Sequence, residues 1–160
     1  MTCIILWPMT SDERSVLNAL LREQRVLTLG VVVEGAPVLG LLPFARASDG
    51  AVLVHASRLA KHTQGLRPGA RAAVLVHAPD TGDALQVPRL TLDVEVHGLT
   101  PQTPAFDEGR AAYLARFPEA EVTFGLGDFA LFALRPRGGR LVVGFGRARD
   151  VGPDDLTIAV

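Results

Sequence analysis

Between Val26 and His97 the chain is cut into apolar, β-branched runs by connections too short to cross a sheet, and this limits its fold more than any other feature. Val26–Val33 is followed by Glu34-Gly35 and then by Pro37–Phe44, which reads as a hairpin. Ser48-Asp49-Gly50 supplies turn chemistry ahead of Ala51–Ala56, and a short basic stretch closed by Arg67-Pro68-Gly69 precedes a fourth run ending near His77. Parallel neighbours need a crossover of about a dozen residues or more, whereas antiparallel ones need only a turn. The sheet is therefore expected to be antiparallel. From Arg89 to His97 the alternation is strict, with Leu90, Leu92, Val94 and Val96 on one face and Thr91, Asp93 and Glu95 on the other, so this strand has one wet side.

Helices flank these runs. Thr10-Ser11-Asp12-Glu13 reads as a capping box opening a helix over Ser11–Gln24, with Val16, Leu17, Leu20 and Leu21 as its apolar stripe. Thr103-Pro104 opens a second helix that carries Tyr113, Leu114 and Phe117 and ends at Pro118. Phe129–Leu134 and Leu141–Phe145 read as two last strands joined through the turn-rich Arg135-Pro136-Arg137-Gly138-Gly139. The expectation is an α+β chain with a small closed antiparallel barrel of six or seven strands and short flanking helices. It forms one domain over residues 1–160, with 1–10 and 149–160 as terminal extensions.

Composition excludes several classes of function. A net charge of −1 with scattered basic residues gives no electrostatic stripe for nucleic acid. Hydrophobic content is 48%, yet no apolar stretch approaches the ~20 residues of a membrane-spanning helix. The apolar surplus points instead to a subunit interface, and a homodimer is expected. The single cysteine, Cys3, excludes a disulfide framework, and Met1–Thr10 lacks the pattern of a signal peptide, so a cytoplasmic location is the expectation.

The only lysine, Lys61, lies in Ser57-Arg58-Leu59-Ala60-Lys61-His62-Thr63-Gln64-Gly65-Leu66, between two apolar runs. A strand entering a short helix start with a hydroxyl and basic side chains can offer N–H groups and positive charge to an anion. An exposed basic turn is the bland alternative. Among the four histidines, His55, His62, His77 and His97, no pair has the i, i+4 spacing of helical zinc ligands, so a metal site is not expected. His55 and His77, at strand ends, read as hydrogen-bonded structural histidines. Asp93 and Glu95 read as the solvated side of their strand.

Leu41-Leu42-Pro43-Phe44-Ala45, the segment Ser57–Leu66, Arg71-Ala72, Pro88–Leu92, Phe124–Phe129 and Val143–Ala148, in this order, resemble the pyridoxamine-phosphate-oxidase-like flavin-binding split barrels, and more narrowly the subgroup related to the split-barrel haem oxygenases. The resemblance spans Val16 to Ala148. It implies a homodimer with FMN at the subunit interface and, as function, a flavin-dependent oxidoreductase acting on a small molecule. Ser57, Lys61 and His62, with Arg58 beside them, match the phosphate-holding element. Arg89 matches a basic position at the start of a strand lining the cofactor cleft, and Leu42-Pro43 matches the strand beside the flavin ring. Gly40 and Gly65 depart from the pattern, replacing a hydroxyl residue and an asparagine.

A non-catalytic flavin-binding module and a haem-binding or haem-degrading protein are the alternatives. Haem would need a ligand for its iron. From Gly98 to Val160 there is no His, Cys or Met, and no longer C-terminal extension carrying a ligand, which leaves His97, on the polar face of its strand, as the histidine free for iron. A haem complex is accordingly not expected.

Overall fold

The computed structural model describes residues 7–158; Cys3 lies outside them. Helix α1, Ser11–Glu23, is opened by Thr10, whose Oγ1 accepts from the Glu13 N–H while the Glu13 carboxylate accepts from the Thr10 N–H. Its buried stripe is Leu17, Leu20 and Leu21. Its C-terminal carbonyls are satisfied from a distance: the Arg116 guanidinium donates to the carbonyls of Leu21, Arg22 and Gln24.

Strands β1, Val26–Val33, and β2, Ala36–Pro43, form the expected hairpin. Glu34 and Gly35 both take positive φ, 52° and 78°, the backbone of a tight two-residue turn that matches strand twist. After Phe44 come β3, Ala45–Arg46, and β4, Val52–Ser57. The five-residue 3-10 turn Lys61–Gly65 follows, then β5, Arg71–His77, and β6, Arg89–Leu99. Helix α2, Pro104–Arg116, capped by Thr103, and the short α3, Glu121–Phe124, lead into β7, Phe129–Gly144, and β8, Arg147–Val151.

All pairings are antiparallel, in one sheet of eight strands ordered β2-β1-β5-β6-β7-β4-β3, with β8 on β7. This corrects two expectations. The hydrogen-bonded sheet is not closed: β2 and β3 are its free ends, although only the buried Phe44 separates them in the chain. The strand count also rises: β8 pairs with β7, reaching into the segment expected to be a terminal extension from residue 149, and Leu156 is buried in the main core.

The segment Arg135–Gly139 is not a turn either. It lies within one 16-residue strand, β7, paired with β6 across a bulge at Asp93/Val94. Pro136, which cannot donate to a ladder, stands at that bulge. Gly139 is required for close approach, since a Cβ there would lie 2.2 Å from the Thr91 carbonyl oxygen. Through the bend, β7 leaves β4 as a neighbour after Leu134 and takes up β8 from Gly139.

Two apolar clusters result. The main one gathers α1, the inward residues of β1, β5 and β6, and alternate residues of β4 and β7, among them Val54, Ala56, Phe132 and Leu134. The second lies on the other face of β4 and β7, where Leu53, Leu131 and Ala133 meet Tyr113 of α2 and Phe117 just beyond its end. Among the described residues no helix is long and apolar enough to cross a membrane.

Candidate functional site

The basic turn is built differently from an anion cradle. Ser57 Oγ donates to Asp128 Oδ2 at 2.7 Å and accepts from the Leu59 N–H at 3.2 Å, so its hydroxyl is already engaged by a carboxylate. The Arg58 N–H donates to the Asp128 carbonyl, and the exposed Arg58 guanidinium donates to the Gly127 carbonyl at 3.1 Å. The negative charge of Asp128 thus stands beside Ser57, where a phosphate was expected. Lys61 projects from the start of the 3-10 turn and makes no ion pair among the described residues.

His62 packs across the sheet instead. Its ring covers Gly40 of β2 so closely that a Cβ there would lie 2.6 Å from the ring, and partial burial holds its pKa below the usual histidine value. The departures at Gly40 and Gly65 therefore have packing causes, since a Cβ on Gly65 would lie 2.6 Å from that of Val31. Leu42 is buried in the main core and Pro43 ends β2 in solvent. Arg89 donates to the Val87 carbonyl and pairs in register with Val142, at the end of β6 and β7 remote from Ser57, which pairs with Phe129. Ten residues of extended strand separate Arg89 from Leu99, roughly 30 Å. Within one protomer Arg89 and Ser57 are not brought together.

The concavity lies beside the turn. Two separate hollows, of about 540 and 280 Å³, lie where β4, β6 and β7 meet the loops before α2 and β7, and both touch Arg58, Leu99, Pro101, Ala130 and Leu131. Thr63, Leu66 and Phe132 belong to the larger hollow; His55, Phe106, Phe124 and Phe129 belong to the smaller. Thr63 Oγ1 is the only fully buried side-chain polar atom without a hydrogen-bond partner among the described residues.

His55, 7% exposed, stacks on Phe124 with ring centroids 3.8 Å apart and an angle of 10°. Burial pushes its pKa down to about 4, so the imidazole is neutral at neutral pH. Its Nδ1 lies 3.2 Å from Thr123 Oγ1, which itself donates to the Ala120 carbonyl at 2.8 Å. A separate hollow of about 460 Å³ lies against α2, lined by Glu108 and by Asp49 and Arg135, which pair with each other at 2.7 Å.

The remaining candidates are engaged at the surface. Asp93 pairs with Arg71, and Glu95 with Arg137 at 3.2 Å. His97 Nε2, expected to be free for iron, lies 3.0 Å from the Glu95 carboxylate. His77 Nδ1 lies 2.8 Å from the Ala78 carbonyl. No group of three or more His, Cys, Asp and Glu able to hold a metal ion occurs among the described residues. Sequence reasoning missed Asp128, Thr123 and Thr63 as parts of the site.

No family model matches the chain. Individual proteins do. The haem oxygenase HutZ of Vibrio cholerae is 30% identical over 142 residues, spanning 84% of this chain and 78% of HutZ. The chloroplastic non-canonical haem oxygenase HOZ of Arabidopsis thaliana is 32% identical over 117 residues, 72% of this chain but 34% of HOZ.

Among solved structures, HutZ, the haem storage protein of Vibrio cholerae, superposes with a TM-score of 0.71 at 25% identity, covering 80% of this chain and 92% of that one. A haem-binding protein of Mycobacterium smegmatis gives 0.78 at 24% identity, covering 96% of this chain and 62% of that one. A protein of the pyridoxinephosphate oxidase family from Clostridium acetobutylicum shares the fold, with a TM-score of 0.64 at 12% identity over 91% of this chain and 99% of that one. The two relatives in sequence are haem oxygenases and the structural relatives at 24–25% identity named above are haem proteins, and this overturns the expectation of FMN as cofactor. Sequence identity, coverage and architecture agree, and the chain belongs to the pyridoxamine-phosphate-oxidase-like split-barrel family, in the branch that contains the haem oxygenase HutZ.

Proposed function

We propose that this protein binds haem beside the Ser57–Leu66 turn and degrades it oxidatively. The observation that carries the reading is the identity to HutZ, which extends over most of both chains. This region suits a porphyrin in its chemistry. The larger hollow is walled by Leu66, Pro68, Leu99, Pro101 and Phe132, the smaller carries Phe106, Phe124 and Phe129, and Arg58 lines both.

Arg58, which lines both hollows, is the cation that would hold a haem carboxylate, through its planar fork. Bound haem supplies the dioxygen chemistry and is also the molecule cleaved. This chain's own residues bind it, shield it from water and neutralise its carboxylates. Reducing equivalents come from a separate donor.

The reading includes a homodimer. On the outer face of the hairpin, Val32, Leu39 and Leu41 are exposed, and β2 is a free sheet edge. A second copy of the chain placed there would bury an apolar surface that a lone protomer leaves in water.

Haemin titration of the purified protein, followed by ascorbate under air, tests the function. The expected result is a saturable one-to-one Soret complex whose band decays as biliverdin forms. Absence of a stoichiometric complex refutes the reading. A stable complex that yields no biliverdin limits it to haem binding.

A further inference from the structure

We infer that the hollow between β3 and the C-terminal turns of α1 and α2 is a binding site for an organic carboxylate with an apolar body. The hollow, of about 390 Å³, is lined by Arg22, Arg46 and Arg116 and by the small apolar residues Ala45, Ala112 and Ala115. Its size falls in the range of small-molecule sites. It does not depend on the haem reading: Arg46 pairs in register with Val52, and the length of β4, roughly 17 Å, separates Val52 from Ser57.

Charge accounting carries the inference. Around the hollow, Arg14 pairs with Asp155 at 3.0 Å, the exposed Arg22 with its neighbour Glu23 at 2.9 Å, and Arg25 with Glu119 at 3.4 Å. Arg46 and Arg116, both partly buried, have no carboxylate partner among the described residues. Their partners are carbonyls: Arg46 donates to that of Leu156 at 2.6 Å, and Arg116 to those of Leu21, Arg22 and Gln24. The two guanidiniums feel each other. Burial, then the charges of Arg116 and Arg14, hold the Arg46 pKa below the usual arginine value. Cations held together without a carboxylate repel, and a carboxylate bound beside them turns that repulsion into attraction. The carbonyls at the end of α1 offset part of the Arg116 charge, so a monoanion is the better match. Arg116 is fixed further by the Phe44 ring, whose centroid lies 4.7 Å from its Cζ. Arg46 spends one N–H on Leu156, which leaves donors for a carboxylate. The alanines and the arginine stems supply apolar surface for the rest of the ligand.

The test uses the full chain and three probes in isothermal titration calorimetry: octanoate, which has head and tail, acetate, which has the head alone, and octanol, which has the tail alone. Octanoate should bind saturably and one-to-one, with acetate and octanol weaker by about tenfold or more. Arg46→Gln should weaken octanoate by about tenfold while circular dichroism stays native, and Arg46→Lys should recover part of the loss. Ala115→Glu, at an exposed position of α2, sets a carboxylate of the chain's own at the hollow and should abolish octanoate binding with the fold intact. A wild-type protein that does not bind octanoate overturns the assignment. So does octanoate that binds no more tightly than acetate, or that binds Arg46→Gln and Ala115→Glu as it binds the wild type.

Discussion

Replacing Thr63 by valine should make the protein more stable. Thr63 is 7% exposed in the 3-10 turn, and its hydroxyl is buried without a partner among the described residues. Such a group has given up its bonds to water and received none in return, a cost of about 1–3 kcal/mol on mutational scales. Valine has nearly the same shape and the same β-branching, so the substitution removes the unsatisfied oxygen without opening a cavity. A gain of about 1–2 kcal/mol is expected. In a chain of this length each kcal/mol moves Tm by roughly 2–4 °C, so Tm should rise by about 3–6 °C in differential scanning calorimetry of the haem-free protein. Urea denaturation should show the same gain as a higher midpoint with an unchanged m-value. A Tm equal to or below that of the wild type would refute the reasoning, because it would mean that the hydroxyl is satisfied in solution.

Three further outcomes are expected. Tyr113 is the only tyrosine, and burial together with the nearby Glu119 raises its pKa to about 12. The folded state thus holds this proton more tightly than the unfolded chain does, and about 3 kcal/mol of stability, complete below pH 10, is lost as pH rises through 12. Phenolate absorbance should appear only with unfolding, and a reversible titration near pH 10 in the folded protein would contradict this. Gly65→Ala should cost about 1–3 kcal/mol by forcing the new methyl against Val31, read as a lower urea midpoint; no change would show that the turn gives way freely. Leu41→Asp, on the exposed face of the hairpin, should convert a dimer into monomers in sedimentation equilibrium while far-ultraviolet circular dichroism stays native; a wild-type protein that is already monomeric at micromolar concentration rejects the interface.

What could be read from the sequence was local. The Thr10–Glu13 capping box, the Glu34-Gly35 hairpin, the Thr103-Pro104 helix start and the wet face of β6 each depend on neighbours within a few positions, and each stands as expected. The misread elements depend on distant partners. Pro136, Gly138 and Gly139 carry turn chemistry, but β6 alongside them turns that chemistry into a bulge and a close approach. Ser57 looked available to an anion because Asp128, its partner, lies 71 residues away. His55 does stand as the hydrogen-bonded, buried histidine expected, but its partner Thr123, 68 residues away, could not be named from the sequence. No window of sequence short enough to show periodicity spans such distances.

The pairing of β4 with β7 has a kinetic consequence. Val52–Ser57 meets Phe129–Leu134 across some seventy residues of chain, whereas β1 with β2, β5 with β6 and β7 with β8 are joined by short connections. Closing the long loop carries the larger entropic cost, so the hairpins should form first and the β4–β7 seam last. His55 of β4 and Leu131 of β7, both lining the smaller hollow, face each other across that seam. It should also be the first region to part in the native state, with amide exchange at His55 and Leu131 faster than at Leu92 or Val74.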